Sequence, residues 1–366
     1  MSEHDSIGIA LDLAHATMMV ASSLLAPIED FTIQWGKSML ISDINESDAI
    51  NEFRMRKADL QEVVDKLWPK FSALLLGKNL TKDEVRVSHG YTVPYETGFL
   101  ILLYRLSRPR RLRPDMEKYF GIRRSRLSAI IQTFAEVFYN VALPYLSNPA
   151  IFHGRMAYYA ELISRKTGGL VNIVWGFIDG TLRKTCRPSY FQRLAYSGHK
   201  RSHGIKFQSV VVPDGLIALL FGPVNGCHHD SYLLSVSGVL QQLRELMPED
   251  GSNGIVYSLY GDPAYPQSHY LFGGFRNAAV GSPEAAWNTA MSRVRECVEW
   301  GFKEIIAQFS FLDFRGSMKI FQSPVAQYYI LGAFFQNIRS LKYSNQMASY
   351  FSATTMTLDE YLALVD

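Results

Sequence analysis

"FIDGTLRKTCRP", residues 177–188, decides how the rest of the chain is read. An apolar run, Ile173, Val174, Trp175, Phe177 and Ile178, stops abruptly at Asp179, and Gly180 and Thr181 follow. Such a run reads as a strand, so the pattern places a carboxylate at the end of a buried strand. A charge there is costly without a partner. The question is what Asp179 holds, and which groups work with it.

Asp262 repeats the situation. "IVYSLY" ends in Gly261-Asp262, and Pro263-Ala264-Tyr265-Pro266 turn the chain away. Two carboxylates at the ends of two adjacent strands suit a shared divalent cation, Mg²⁺ or Mn²⁺, because these ions prefer hard oxygen ligands. A third acid is needed to complete a two-metal site. The helical pattern over 284–309 offers Glu296, Glu299 and Glu304. Val294, Val298 and Ile305 mark its apolar side, and Glu299 lies at the edge of that stripe beside Phe302, where it can lean over the strand ends. Glu296 and Glu304 read as solvated.

Around these acids the chain changes character once. Up to about residue 165 the pattern is helical: 50–76, then "FLILLYRLSR" (99–108) after a linker over 86–98, a short "PDMEKYFG" segment with Pro114 in its first turn and Gly121 at its end, and a long helix over 123–146. After Gly168-Gly169, "NIVWGFID", "IKFQSVVV" and "LIALLFG" are short strands parted by turns such as Pro213-Asp214-Gly215. Residues 230–246 read as a helix, 254–262 as a strand, and 284–309 and 324–341 as helices. The fold class expected is α/β (α+β), a mixed sheet flanked by helices. The expected division is a helical N-terminal region over 1–165, a catalytic domain over 166–345, and a tail over 346–366.

Composition narrows the function classes. With 366 residues, 48% hydrophobic and 19% charged, the chain has ample core, and a net charge of +3 does not announce a polyanion partner. The three cysteines show no CxxC pairing, which argues against a disulfide scaffold or zinc finger and fits a reducing compartment. The apolar run over 7–27 is interrupted by Asp12 and His15 and reads as a buried amphipathic helix, with no membrane span. "CHHDS" (227–231) clusters Cys227, His228 and His229, but neighbours on a strand point to opposite faces, so Asp230 as a cap of the next helix is the simpler reading. Paired carboxylates also serve glycosidases, but no sugar-stacking context accompanies these.

Five stretches in order, "FIDGT", "GHKRSHGIKFQSVVVPDGLI", "GCHHDSYLL", "LYGDPAYP" and "RVRECVEWGFKEI", resemble the PIF/Harbinger-type transposase-derived nucleases, which are DDE superfamily endonucleases with an RNase H-like core. The resemblance spans roughly residues 50–340. The family's Asp-Gly-Thr motif matches Asp179-Gly180-Thr181. Its Gly-Asp-x-x-Tyr-Pro motif matches Gly261-Asp262 with Tyr265-Pro266, and its Val-Glu-Arg-x-Phe-Gly motif matches Val298-Glu299 with Phe302. The offset of 37 from Asp262 to Glu299 fits a DDE arrangement. Trp300 and Lys303 depart from the motif, and the family's His-Asn pair stands here as Gln336-Asn337.

The resemblance implies Asp179, Asp262 and Glu299 as catalytic metal ligands in a two-metal phosphodiester hydrolysis. It leaves an accessory role open for His229 and Asp230, which match a His-Asp-Ser motif. DNA is the implied substrate, a Myb-like accessory protein and homo-oligomerisation are open, and the nucleus is the implied location. Basic residues supply the phosphate contacts such a groove needs: Arg183, Lys184 and Arg187 after Asp179, and Lys200, Arg201 and Lys206 before the second strand. Within 96–146, residues 114–135 read as a helix-turn-helix, with Arg123, Arg124 and Arg126 opening a second helix suited to a major groove. The rival reading is a catalytically inactive, domesticated DNA-binding or adaptor protein, motivated by Trp300 and Lys303. An RNase H-like enzyme acting on RNA is a third.

Overall fold

The computed structural model describes residues 36, 38–75, 80–252, 254–263 and 265–365, with only the backbone of 89, 297 and 298. The helix expected over 7–27 lies outside them.

The helical region begins with α1 (Glu46–Phe53), capped by Asn45, whose side-chain oxygen accepts from the Asp48 N–H at 2.7 Å. Arg54 ends it at φ 66°. Its guanidinium donates to the carbonyls of Gln308 (2.9 Å) and Ser107 (3.1 Å), so the break is held by two distant helix ends. The single helix expected over 50–76 therefore divides, and α2 (Lys57–Ala73) follows. A two-residue ribbon, β1 (Val85–Arg86) with β2 (Thr92–Val93), leads to α3 (Tyr95–Ser107), which is buried on nearly every side. The one-turn α4 (Glu117–Phe120) stops at Gly121, as the sequence predicts; α5 (Arg124–Ser147) and α6 (His153–Lys166) complete the region.

The sheet is built on β3 (Val174–Lys184). After α7 (Gln192–Ala195) and β4 (Tyr196–Ser197), β5 (Ser202–Val211) runs antiparallel to β3 from Phe177↔Val211 to Lys184↔Gly204. On its other side β5 pairs with β6 (Ile217–Asn225) and, at its start, with β4. The chain then passes through α8 (Asp230–Ser237) and α9 (Val239–Leu246) to β7 (Ser258–Tyr260) and β8 (Leu271–Phe272). β7 lies parallel to β3, and β8 parallel to β7, which gives the order β6-β5-β3-β7-β8. Three antiparallel strands followed by two parallel ones form the mixed sheet expected of an RNase H-like core. The remaining helices are α10 (Pro283–Arg295), α11 (Cys297–Gln308), α12 (Val325–Lys342), α13 (Gln346–Phe351) and α14 (Leu358–Leu362).

Three expectations about elements are corrected. Residues 230–246 form two helices because Gly238 takes φ 69° between them. The helix over 284–309 is interrupted at Glu296. Asp179 does not end its strand: antiparallel pairing with β5 carries β3 five residues further, so Arg183 and Lys184 are strand residues.

Side chains of β3 divide between two apolar clusters, with the alternation shifted at an irregularity between Val174 and Gly176 and regular from there on. Trp175 and Ile178 join α3, α5 and α12 in one, which runs from Ile41 to Leu362, so the N-terminal helices and the sheet share a core. Val174 and Phe177 join Val211, Tyr260, Val294 and Phe302 in the other, under α6, α10 and α11. No helix among the described residues is long and apolar enough to cross a membrane.

The β5–β6 turn is pinned by a buried acid. Asp214 accepts from the Tyr159 hydroxyl at 2.7 Å and the Leu216 N–H at 3.2 Å, with Arg155 at 3.5 Å, and Asn345 donates to its carbonyl at 2.8 Å. Burial pushes its carboxyl up to about 6, above the usual value near 3.9. The fold therefore prefers the protonated form, and the stability it gains from that proton is lost as pH rises from about 4 to about 6. Relative to Asp214→Asn, the parent should lose roughly 3 kcal/mol across that window. Paired denaturant titrations at pH 4, 5, 6 and 7 check this; parallel curves for the two proteins contradict it.

Candidate active site

Asp179 sits where β3 loses a neighbour. The parallel ladder with β7 ends at Phe177↔Tyr260, while the β5 ladder continues through Asp179↔Ser209. Alternation places Asp179 on the Phe177 face, beneath α10 and α11. Asp262 lies two residues past β7, so the two acids do stand at neighbouring parallel strands.

Two glycines make the junction tight. A Cβ on Gly261 would stand 2.7 Å from the Tyr265 ring and 3.0 Å from Ile178, so only hydrogen lets the β7 end close onto β3. A Cβ on Gly180 would stand 2.6 Å from the Asp230 carboxylate. Tyr265, buried beneath this turn, accepts from Gln208 Nε2 at 3.3 Å and braces it from the Gly180 face.

Across the Asp179 face, α10 and α11 present a helical stripe. Ser292, Arg295, Glu296 and Glu299, spaced at three and four residues, line a cavity of about 230 Å³ with Asp179. Arg295 pairs with Asp262 at 3.2 Å, and Lys303 with Glu299 at 3.2 Å. Asp179 accepts from the Gly180 N–H at 2.9 Å. Burial raises its carboxyl above the ordinary range; that hydrogen bond and Arg295 oppose the rise, and Asp230 and Asp262 reinforce it.

Other expected residues fall elsewhere. Glu304 is not solvated: it is half-buried, accepts from Gln336 Nε2 (3.1 Å) and the Gln346 N–H (3.2 Å), and burial raises its carboxyl. Asp230 is not the helix cap. His229 holds the cap position without a side-chain bond, and Asp230 accepts from Lys206 at 2.9 Å over Gly180, on the face opposite Asp179. Asn337 bonds both backbone groups of Ile217 and the Tyr361 hydroxyl, which is a structural task.

Of the basic residues, Arg183 is turned inward, donating to Thr181 at 2.5 Å over the Tyr329 ring, and Lys206 is engaged by Asp230. Lys184, Arg187, Lys200 and Arg201 are exposed. Arg123, Arg124 and Arg126 are exposed at the start of α5, where Arg113, Lys118, Arg123 and Arg124 line an open cleft of about 890 Å³. Arg295 and Ser292 were missed by sequence reasoning; their helical spacing from Glu299 was the signal.

Residues 178–334 match the family model of the DDE superfamily endonucleases. That span opens one residue before Asp179 and contains Asp262 and Glu299, and it supports a transposase-like nuclease in general. No curated protein and no solved structure matches the chain. Endonucleases of this superfamily generally use divalent metals. The carboxylates fit such an ion in kind, as oxygen donors: Asp179, Glu296 and Glu299 line one cavity, and Asp262 reaches it through Arg295. They are not drawn together into a ligand set: among the described residues no three His, Cys, Asp or Glu side chains stand close enough to hold one.

Gly261→Ala should force the β7 end away from β3 and cost about 1–3 kcal/mol, the usual penalty of overpacking. Gly154→Ala, near the start of α6 with nothing within 4 Å of the added methyl, should be neutral or stabilising by about 0.4–1 kcal/mol. Denaturation midpoints of the two variants check the contrast.

Proposed function

We propose that the chain is a divalent-metal-dependent DNA endonuclease of the Harbinger type. The observation that carries this reading is Asp179 at one cavity with Glu299, and Asp262 just past the neighbouring parallel strand and tied to that cavity through Arg295, all within the matched span. Asp179 and Asp262 would hold a metal from the sheet side, and Glu299, with Glu296 as its competitor, from the helix side. A divalent cation held there would supply Lewis-acid chemistry, offsetting charge on a phosphate and acidifying a water. The chain's own part is to fix Asp179 on the central strand of the sheet and Asp262 just past its parallel neighbour, with the apolar cluster holding the helices over them. The exposed basic residues between the end of β3 and the start of β5, Lys184, Arg187, Lys200 and Arg201, would neutralise the DNA backbone, as would Arg123, Arg124 and Arg126. Nuclear location, a Myb-like accessory protein and self-association rest on the resemblance alone.

A second reading has its own observation. Asp262, Glu299 and Asp230 are each paired with a cation, Arg295, Lys303 and Lys206. A chain that had given up catalysis would keep its charges balanced in this way and act as a DNA-binding adaptor.

Plasmid cleavage with Mg²⁺ or Mn²⁺ separates the two. Asp179→Asn and Asp262→Asn should each lower cutting by roughly 100-fold or more, and Glu299→Gln comparably, whereas Glu304→Gln should stay near the parent. Salt-sensitive DNA binding by a parent that never cuts would establish the adaptor.

A further inference from the structure

Phe191 and Phe321 are held at φ 56° and 73°, a region that bulky side chains rarely adopt. Both rings face water, 68% and 72% exposed, and Tyr190 beside them is 74% exposed. The two phenylalanine rings meet at a steep angle, with centroids 6.1 Å apart and an interplanar angle of 62°. Folding gains nothing from straining the backbone to keep apolar rings in solvent. Strain of this sort persists where the surroundings enforce it and points to function.

The surroundings do enforce it. The Cys186 N–H donates to the Met318 carbonyl at 2.9 Å, and its thiol to the Arg315 carbonyl at 2.7 Å. These bonds clamp the segment after β3 to the segment before α12. Residues 184–203 and 314–323 together carry seven Lys and Arg and no Asp or Glu. An apolar protein partner would have no use for that charge, and a duplex keeps its base faces hidden within its own stack. Unpaired nucleotides match both features, since their phosphates seek cations and their bases stack on exposed rings.

We propose that Phe191 and Phe321 form a stacking platform for unpaired DNA bases. It deepens the nuclease reading and rests on it. Lys184 lies five residues beyond Asp179 on β3, on the order of 17 Å away. The platform is therefore outside the carboxylate cavity and holds a strand that leads away from it.

The test uses the full chain carrying Asp179→Asn, with a labelled single-stranded oligonucleotide and the matching duplex, read by fluorescence anisotropy. Phe191→Gly and Phe321→Gly remove the rings and relieve the positive φ, so melting temperatures should hold or rise. Each should weaken single-strand binding roughly tenfold while duplex binding changes by less than about twofold. Phe321→Tyr should keep the single-strand affinity. Unchanged single-strand binding in both glycine variants overturns the platform. So does an equal loss on duplex, a parent that does not bind the single strand, or a dimer that either glycine substitution dissolves. Plasmid cutting by the chain with Asp179 intact is a separate readout: binding of single strands through these rings by a chain that never cuts contradicts the nuclease reading alone.

Discussion

The structure depends on an exchange of partners along β3. Its antiparallel ladder with β5 runs to Lys184, but its parallel ladder with β7 stops at Phe177. Asp179 is the next residue on the Phe177 face, so it is the first side chain there without β7 beside it. That one offset leaves room for the Asp262 turn and for the α10–α11 stripe above it. Gly261 and Gly180 keep the offset narrow, and the apolar cluster of Phe177, Val211, Tyr260, Val294 and Phe302 fixes the helices over it.

Magnitudes decide how the cations around the acids should be viewed. Glu299 and Lys303 are both about two-thirds exposed, and a solvated pair of this kind is worth about 0–1 kcal/mol. Asp262 and Arg295 are less exposed, yet still solvated enough that their attraction is a few kcal/mol at most. Neither pair is strong enough to bar a doubly charged ion or a phosphate from the cavity. Arg295 instead offsets carboxylate charge within the fold, pairing with Asp262 and opposing the rise that burial imposes on Asp179.

The sheet was legible because its strands are short apolar runs closed by Gly and Pro turns, and because both acids interrupt such runs. The position of Asp179 within its strand was not. Hydrophobicity ends at Ile178, while pairing with β5 continues through polar residues, and nothing local in the sequence distinguishes those two endings. Gly238 and Arg54 hid helix breaks for a related reason, since the apolar spacing on either side stays in phase. Glu304 looked solvated by spacing alone and is instead held by Gln336 and Gln346 from elements distant in sequence. Arg295 was within reach of helical periodicity, four residues before Glu299. Phe191 and Phe321 were not, because exposure and positive φ are properties of the folded chain.

Cation binding by Asp179 and Asp262 is the property on which the proposed chemistry rests. Calorimetric titration of the full chain with MnCl₂, beside Asp179→Asn, tests it most directly. The parent should bind Mn²⁺, and the variant should lose affinity by roughly 100-fold. Equal affinity in the two proteins would contradict the account.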